Sequence, residues 1–414
     1  MATNKPTDTD TIAMVTPWPL QRTGIADYAF DLVHGLAEVG KHVDVYTDCH
    51  PSERRSQHHE NIRVFDIAEF ANRGEHSLPV YQMGNNSKFH LAMFDLMLDH
   101  PGVVHLHDPS LHHLIAYLFC NHQTFDQYYR LINHWYGFQA VQRVRDWMQL
   151  KREGFWDSAY VGEIPFIEPA LENARCVIVH SHFAERRVHR RLSHLTTYAI
   201  PQLYRNMLPR VEMIRDQRRL VLGAFGVAQK SKQIDRVMRA VAEVNAWLAS
   251  LQDNRYIELW VVGELDPCSS KLPDLAQSLG PHCTTRFLGR QSEADFLHAM
   301  RDVDVCVSLR SPTMGETSAI VSRSLQIGLP TIVNRIGWYA ELPECVLKIE
   351  TEGDTHKSLV EIFKKCLEES YFQTWQHQCL DNAKTGYSFS AMIEQYISIM
   401  DNYPASADRK RQSP

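Results

Sequence analysis

The sequence lacks an apolar run of the roughly 20 residues that a membrane-spanning helix requires; runs such as VLGAFGVA at 221–228 stop far short. It lacks an excess of positive charge. Its 43 Lys and Arg stand against 49 Asp and Glu, a formal charge of −6, so no net field draws it to nucleic acid. It lacks a C-x-x-C pair: the nine cysteines, at 49, 120, 176, 268, 283, 306, 345, 366 and 379, are scattered and odd in number, which fits neither a disulfide framework nor a zinc ribbon. Most read as buried free thiols, because several sit in apolar runs such as ARCVIVHS and DVCVSL. With only 19 Gly and 19 Pro among 414 residues and no internal repeat, the chain is neither collagenous nor of low complexity. The opening MATNKPTDTDT has no apolar core of the signal-peptide kind, which points to the cytoplasm.

What is present is a globular composition, 44% hydrophobic and 22% charged, in a length that suits two or three domains of about 100 to 200 residues. Short β-branched runs alternate with longer stretches of helical period, which predicts stacked βαβ units and parallel sheets. TIAMVTPWP (11–19) reads as a buried strand. Tyr28, Leu32, Val33, Leu36 and Val39 mark one helix face, Gly40 suits the helix end, and KHVDVYTD (41–48) reads as the next strand. Further strands are expected at 62–66, 79–83, 102–107 and 175–180, with a helix over about 87–99 and an aromatic, basic helical insertion before residue 160. The polar stretch 201–219 predicts the linker. A second unit follows: a strand at 219–227, then a helical stripe of Ile234, Val237, Met238, Val241, Val244, Leu248 and Leu251. Strands YIELWVVG and TTRFLG, a capping-box helix start at SEAD (292–295), strands at 303–309 and 330–334 and helices over about 355–400 complete it. The expected domains are 1–205 and 219–385, then a helix at 386–403 and a disordered tail at 404–414.

Four stretches fall where parallel-sheet proteins place their sites, at strand C-terminal ends or the starts of the following helices. They are TPWPLQRTGIADY, HLHDPSLHH, FGVAQKSKQID and RSPTMGETSAIVSRSLQIGLP. In the first, Gly24 opens a helix whose free N–H groups and dipole of about half a charge can hold an anion, although a plain βα turn reads the same. No G-x-G-x-x-G is present, which argues against a dinucleotide fingerprint. In the last, Gly315 allows close backbone approach, Thr317 and Ser318 suit a helix start, and Glu316 offers a carboxylate to sugar hydroxyls rather than to phosphate. Lys232 either supplies a mobile cation for a diphosphate or, as lone lysines commonly do, faces solvent. His105, His107, Asp108, His112 and His113 invite a metal reading. His105 and His107 share a strand face, as ligands could, but no distant Cys or Asp partner is identifiable, and a strand-end histidine serves equally as base or hydrogen-bond donor. His58 and His59 read as exposed loop residues.

In chain order, TPWPLQRTGIADYAFDLVHGLAEVGKHVDVYT, YQMGNNSKFH, GVVHLHDPSLHHL, FGVAQKSKQIDRVMRAV, FLGRQSEADFLHAMRDVDVCVSLR and MGETSAIVSRSLQIGLPTIVNRIGWYAELPE are similar to the retaining GT-B glycosyltransferases of family 4, which use sugar nucleotides. The resemblance covers about residues 11–400. It implies an α/β GT-B fold: two Rossmann-like domains with parallel sheets facing a central cleft, the donor mainly on the C-terminal domain, the acceptor mainly on the N-terminal one, and a final helix crossing back. It implies transfer of a hexose-type sugar from a nucleoside-diphosphate sugar to a hydroxyl of a glycan or lipid-linked acceptor, with retention and without a metal. By position, His107 looks like the histidine near the transferred sugar, Glu316 like the first glutamate of the E-x7-E motif and Lys232 like the phosphate lysine; these three form the expected catalytic set. Donor contacts are also implied for Gly24, Gly226, Gly289, Arg290, Gly315, Thr317, Ser318, Arg323 and Ser324, and acceptor-side contacts for Arg22, Asp27, Asn85, Asp108 and His112.

The sequence departs from that pattern in two places. The second glutamate of the motif falls on Ser324, with Arg323 beside it, and the arginine that often precedes the phosphate lysine has no match in GVAQKSK, where Val227 and Ala228 stand. The GETS form with a small residue at the second position looks like a subgroup associated with bacterial surface polysaccharides. Two other readings stay open: a decayed GT-B protein that binds a sugar nucleotide or glycan as a partner, and an enzyme that hydrolyses or epimerises the sugar nucleotide. A paired-carboxylate glycosidase needs two carboxylates about 5 to 9.5 Å apart, and only Glu316 is a strong candidate. The basic, aromatic stretch 128–160 reads either as a packed insertion or as a face near the acceptor entrance, in peripheral contact with the inner face of a membrane.

Overall fold

The computed structural model describes residues 11–49, 59–73, 78–121, 124–151, 154–158, 160–210 and 216–403; His58 and the expected tail at 404–414 lie outside them. Two compact units are formed. One comprises the residues up to Arg205, Met314–Thr317 and those from Phe389 on; the other comprises Asn206–Thr313 and Ser318–Ser388.

The first unit runs through β1 (Thr11–Val15), α1 (Gly24–Glu38), β2 (His42–Thr47), β3 (Ile62–Asp66), α2 (Phe70–Arg73), β4 (Pro79–Met83), α3 (Ser87–Asp99) and β5 (Val103–Leu106). The insertion supplies α4 (His112–Cys120), α5 (Phe125–Tyr136), α6 (Phe138–Lys151) and α7 (Glu168–Leu171), before β6 (Cys176–Val179), α8 (His182–Arg191) and β7 (Thr197–Ala199). The strands pair in parallel in the order β3-β2-β1-β4-β5-β6-β7. Every residue of β5 and β6 is buried, as expected of central strands covered on both faces.

The second unit contains β8 (Arg219–Phe225), α9 (Ile234–Ser250), β9 (Tyr256–Val262), α10 (Leu272–Ser278), β10 (Thr285–Gly289), α11 (Glu293–Asp302) and β11 (Val305–Val307). Next come α12 (Ala319–Ile327), β12 (Thr331–Asn334), β13 (Leu347–Ile349), α13 (Thr355–Cys366) and α14 (Glu369–Gly386). This sheet is also parallel, in the order β10-β9-β8-β11-β12-β13. The last helix, α15 (Phe389–Asp401), belongs to the first unit. It lies so close to α1 that a Cβ on Gly35 would stand 2.7 Å from Ile393 and Phe389, which explains a glycine inside that helix.

The apolar periodicities land on buried faces, with informative exceptions at helix ends. Tyr28, Leu32, Val33 and Leu36 are buried in α1, but Val39 is the C-cap and 56% exposed, and Gly40 turns the chain with φ +90°. Ile234, Val237, Met238, Val241, Val244 and Leu248 are buried in α9, whereas Leu251 lies past its last turn and is 58% exposed. The expected capping box at Ser292 is only half formed. Its hydroxyl accepts the Asp295 N–H and donates to the Asp295 carboxylate, which does not reach back to the cap backbone. The first strand stops at Val15, ahead of Pro17 and Pro19. Strands β7 and β13 were not expected; at three residues each they are too short to show a period. The nine cysteines are free, six of them buried and Cys268 exposed. Among the described residues no helix is long and apolar enough to cross a membrane.

In both sheets the strand order reverses, between β1 and β4 in one and between β8 and β11 in the other. Open parallel sheets bind ligands outside the carboxyl ends of the strands at such a switch point. The segments that follow these four strands carry Gly24, Asn85, Lys232 and Arg310.

Candidate functional site

In the first unit, Thr23 caps α1 through its side chain, and Gly24 follows with open space where a Cβ would stand, nothing lying within 4 Å. Gly24, Arg22 and Asp27 are exposed. Asn85 and Asp108, at the ends of β4 and β5, are joined: Asp108 Oδ2 accepts the Asn85 N–H at 2.7 Å. The Asn85 side chain is turned to the start of α4, where its Oδ1 accepts the N–H groups of His113 (3.0 Å) and Leu114 (3.3 Å). His112 is fully buried, its Nδ1 against the Ile164 carbonyl and its Nε2 against the Tyr128 hydroxyl, both at 2.6 Å. Burial lowers its pKa to about 3, so the ring is a neutral core polar group with both nitrogens occupied.

His107, the residue after β5, lies in a buried cluster that only the fold assembles. Its Nε2 lies 2.8 Å from Gln82 Oε1, and its Nδ1 lies 2.9 Å from Nε2 of His180, whose Nδ1 faces the Ile200 carbonyl at 3.1 Å. The three rings of His105, His107 and His180 sit around Tyr28 at centroid distances of 5.5, 5.2 and 5.0 Å. Burial pushes all three pKa values down, so the cluster is neutral. The chain of contacts thus runs from Gln82 through His107 and His180 to the Ile200 carbonyl, and Gln82 Nε2 donates to the Tyr396 hydroxyl at 3.1 Å, which fixes the side chain that holds His107. His180 was legible in hindsight, because RCVIVH closes on a histidine as GVVHLH does.

The nitrogens of His105, His107 and His180 lie within 4.8 Å of one another, a spacing a metal ion could use. The rings of His105 and His107, however, are stacked with planes only 18° apart, so both lone pairs point at one ion only if a ring turns.

Segment Met314–Thr317 also belongs to the first unit. Gly315 has φ +93°, and a Cβ there would fall on the Phe183 ring, so only glycine fits. Arg187 donates to the carbonyls of Met314 (2.7 Å) and Pro109 (3.2 Å), and its charge also acts on Glu316. Glu316 Oε2 accepts the Met314 N–H at 2.8 Å, and Thr317 donates to Gln202 Oε1 at 2.9 Å. The loop carrying Glu316 is thus tied down at each residue.

In the second unit, Lys232 lies two residues before α9, and its Nζ donates to the Phe225 carbonyl at the end of β8. Burial of the amine lowers its pKa to about 7, and the nearby Arg310 charge adds to the shift. Gly226 has φ +76°, and a Cβ there would stand 3.0 Å from Lys232 Nζ. Arg310, beyond the end of β11, was not singled out from the sequence; its guanidinium contacts Ser231 Oγ at 3.1 Å. Gly289 has φ +64° beside an open space, and Arg290 stands 3.6 Å from Glu264.

The α12 residues are placed differently. Ser318 caps the helix, accepting the Val321 N–H. Ser324 is fully buried against the Cys306 thiol, and Arg323 is mostly buried and paired with Glu293 at 3.0 Å.

Two parallel sheets of this strand order, with candidate groups at each switch point, define the class: the chain has the GT-B fold, two Rossmann-like units in one polypeptide. No protein-family model and no curated protein sequence matches the chain. Solved structures do match it. Anabaena HepE in complex with UDP matches with a TM-score of 0.64 at 15% identity, over 95% of this chain and all of its own. Sucrose-phosphate synthase from Thermosynechococcus elongatus matches at 0.65 and 16% identity, over 95% of this chain and 98% of its own. WaaG, a glycosyltransferase involved in lipopolysaccharide biosynthesis, matches at 0.56 and 17% identity, over 94% and 99%. At these identities the likeness establishes the fold.

Proposed function

We propose that the protein is a retaining glycosyltransferase of the family 4 type, moving a hexose-type sugar from a nucleoside-diphosphate sugar to a hydroxyl of a glycan or lipid-linked acceptor. Bacterial surface polysaccharide synthesis on the cytoplasmic side is its proposed setting. The observation that carries the reading is Lys232: an amine held at the β8 strand end with a pKa near 7 and a second cation, Arg310, close enough to lower it. Two cations kept together at a switch point are suited to an arriving polyanion. Breaking the anomeric C–O bond leaves negative charge on the diphosphate and positive charge on the sugar, so preorganised donors at the phosphates are the main requirement. Lys232 fills that role, and in the first unit the backbone at Gly24, with nothing within 4 Å of its Cβ position, is open to a ligand. Glu316 orients sugar hydroxyls, and His107, held by Gln82 and His180, stands beside the sugar. No metal is assigned to the reaction.

HepE was solved with UDP and with UDP-glucose, which favours a uridine donor as the first to test. Peripheral membrane contact is proposed through α6, where Phe138 and Leu150 are 63% and 81% exposed. The test of the reaction is proton NMR of the sugar nucleotide with enzyme: product or released sugar that first carries the donor's anomeric configuration supports the reading, and an inverted first product overturns retention. A second reading, a binding protein without turnover, is favoured by the burial of Ser324, which takes the second motif position out of reach of a ribose. Tight donor binding with no product would support it.

A further inference from the structure

A cavity of about 940 Å³ opens in the second unit, and none of the residues assigned to the donor lines it. Its walls carry four cations from three chain segments: Lys230, Arg236 and Arg239, and Lys271. None of these side chains makes an ion pair or hydrogen bond with another described residue. The acidic groups nearby are fewer. Asp235 lines the cavity, and Asp354, in the adjoining hollow of about 570 Å³, is engaged in accepting the N–H groups of His356 and Lys357 at the start of α13. His356 in that hollow is paired with Glu243.

Two further features point into the same space. The N-terminus of α9, 17 residues long, opens on the cavity at Ile234 and Asp235 and has no side-chain cap, so its positive end is available to an anion. Gln233, whose backbone is left-handed at φ 51°, lines the cavity while only 8% exposed, and its Oε1 is buried without a hydrogen-bond partner. That oxygen is an acceptor, so it does not itself bind an anion, and Gln233 can meet one only through its amide N–H groups. Like charges left unpaired around a concavity repel one another, a cost that a bound anion removes. The size is that of a pocket for a small molecule. Its apolar lining, Ile234, Leu272 and Leu275, is buried or half-buried, leaving no protruding apolar side chain to enter a bilayer.

We propose that this cavity binds a soluble ligand bearing two or more phosphoryl groups, at a site separate from Lys232. Arg236 and Arg239 hold the phosphoryl oxygens, with Lys230 and Lys271 at the rim.

The experiment is titration calorimetry of the full-length protein with inorganic pyrophosphate, at low and high salt, for the wild type, the R236Q/R239Q double variant and K232A. Both arginines are exposed, so the double variant should fold normally. The expected result is wild-type binding that weakens with salt, falls about 10-fold or more in R236Q/R239Q, and persists in K232A. Binding lost in K232A but kept in R236Q/R239Q would place the anion at the donor site and overturn the proposal. So would the absence of pyrophosphate binding to the wild type. Sedimentation with phosphatidate-containing vesicles separates the sources: vesicle binding that depends on Arg236 and Arg239, without pyrophosphate binding, would assign the charge to a lipid surface and overturn the soluble ligand.

Discussion

The Nζ of Lys232 donates to the carbonyl oxygen of Phe225, the last residue of β8. The strand end thereby holds an amine whose pKa is pushed down to about 7 by burial and by Arg310, so near neutral pH about half the molecules carry the charge. A diphosphate at this position would draw the proton back on. Nucleoside diphosphate binding at pH 8 is therefore expected to take up protons, and affinity should fall as pH rises above 7. Calorimetry in buffers of different ionisation enthalpy measures the uptake; a proton-neutral binding step would remove Lys232 from the diphosphate.

The same depressed pKa makes Lys232 a cost to stability. The unfolded chain binds the proton up to about pH 10.5 and the folded chain only to about 7, so native stability rises with pH across that window. Lys232→Met removes the cost and should stabilise the protein at pH 7 by roughly 2 to 4 kcal/mol, less at pH 10, while lowering turnover about 100-fold or more. Urea denaturation at the two pH values checks the first part and a transfer assay the second.

Buried neutral histidines set the acid limit. His90 has a pKa near 3 and His180 near 4, both lowered by burial, so the unfolded state binds more protons than the folded one between those values and about 6.5. Their stability is fully present above 6.5 and is lost as pH falls. At pH 5 each should have cost about 2 kcal/mol. Denaturation midpoints at pH 7.5 and 5 should drop accordingly, and His90→Leu, which removes two buried nitrogens without partners, should reduce the drop. An unchanged difference in His90→Leu would contradict the assignment.

Two glycines at candidate positions should respond oppositely to alanine. Gly315→Ala places a methyl group on Phe183 at a positive φ, so the loop with Glu316 must shift, and donor turnover should fall at least 10-fold. Gly24→Ala meets open space, so stability should change by less than about 0.5 kcal/mol, and any loss should be in nucleotide affinity. Thermal melts with steady-state kinetics separate the two effects.

The parallel sheets were legible because their central strands are continuous apolar runs and the intervening helices keep a 3.6-residue stripe, as in α1 and α9. Helix ends were less so: Val39 and Leu251 continue the stripe in sequence, but the chain has already left the helix. The histidine pair His107–His180 is not legible in sequence because its members follow two neighbouring strands and lie 73 residues apart, and only the register that sets Leu106 beside Val179 brings them together. Arg310 was missed for the same reason, since its link to Ser231 depends on β11 lying next to β8. Ser324, Arg323 and His112 show the opposite limit. Polarity in the sequence says nothing about which way a helix face turns, and all three side chains point into packed surroundings.

Whether Lys232 receives the diphosphate of a sugar nucleotide is decided by a thermal-shift panel of UDP-, GDP-, dTDP- and CMP-sugars on the wild type and Lys232→Ala. Ligand at about 100 times its dissociation constant stabilises the native state by about 2.7 kcal/mol. The expected result is a clear shift with one nucleotide class that disappears in Lys232→Ala. A shift that survives the substitution, or a flat panel on well-folded wild-type protein, would contradict it.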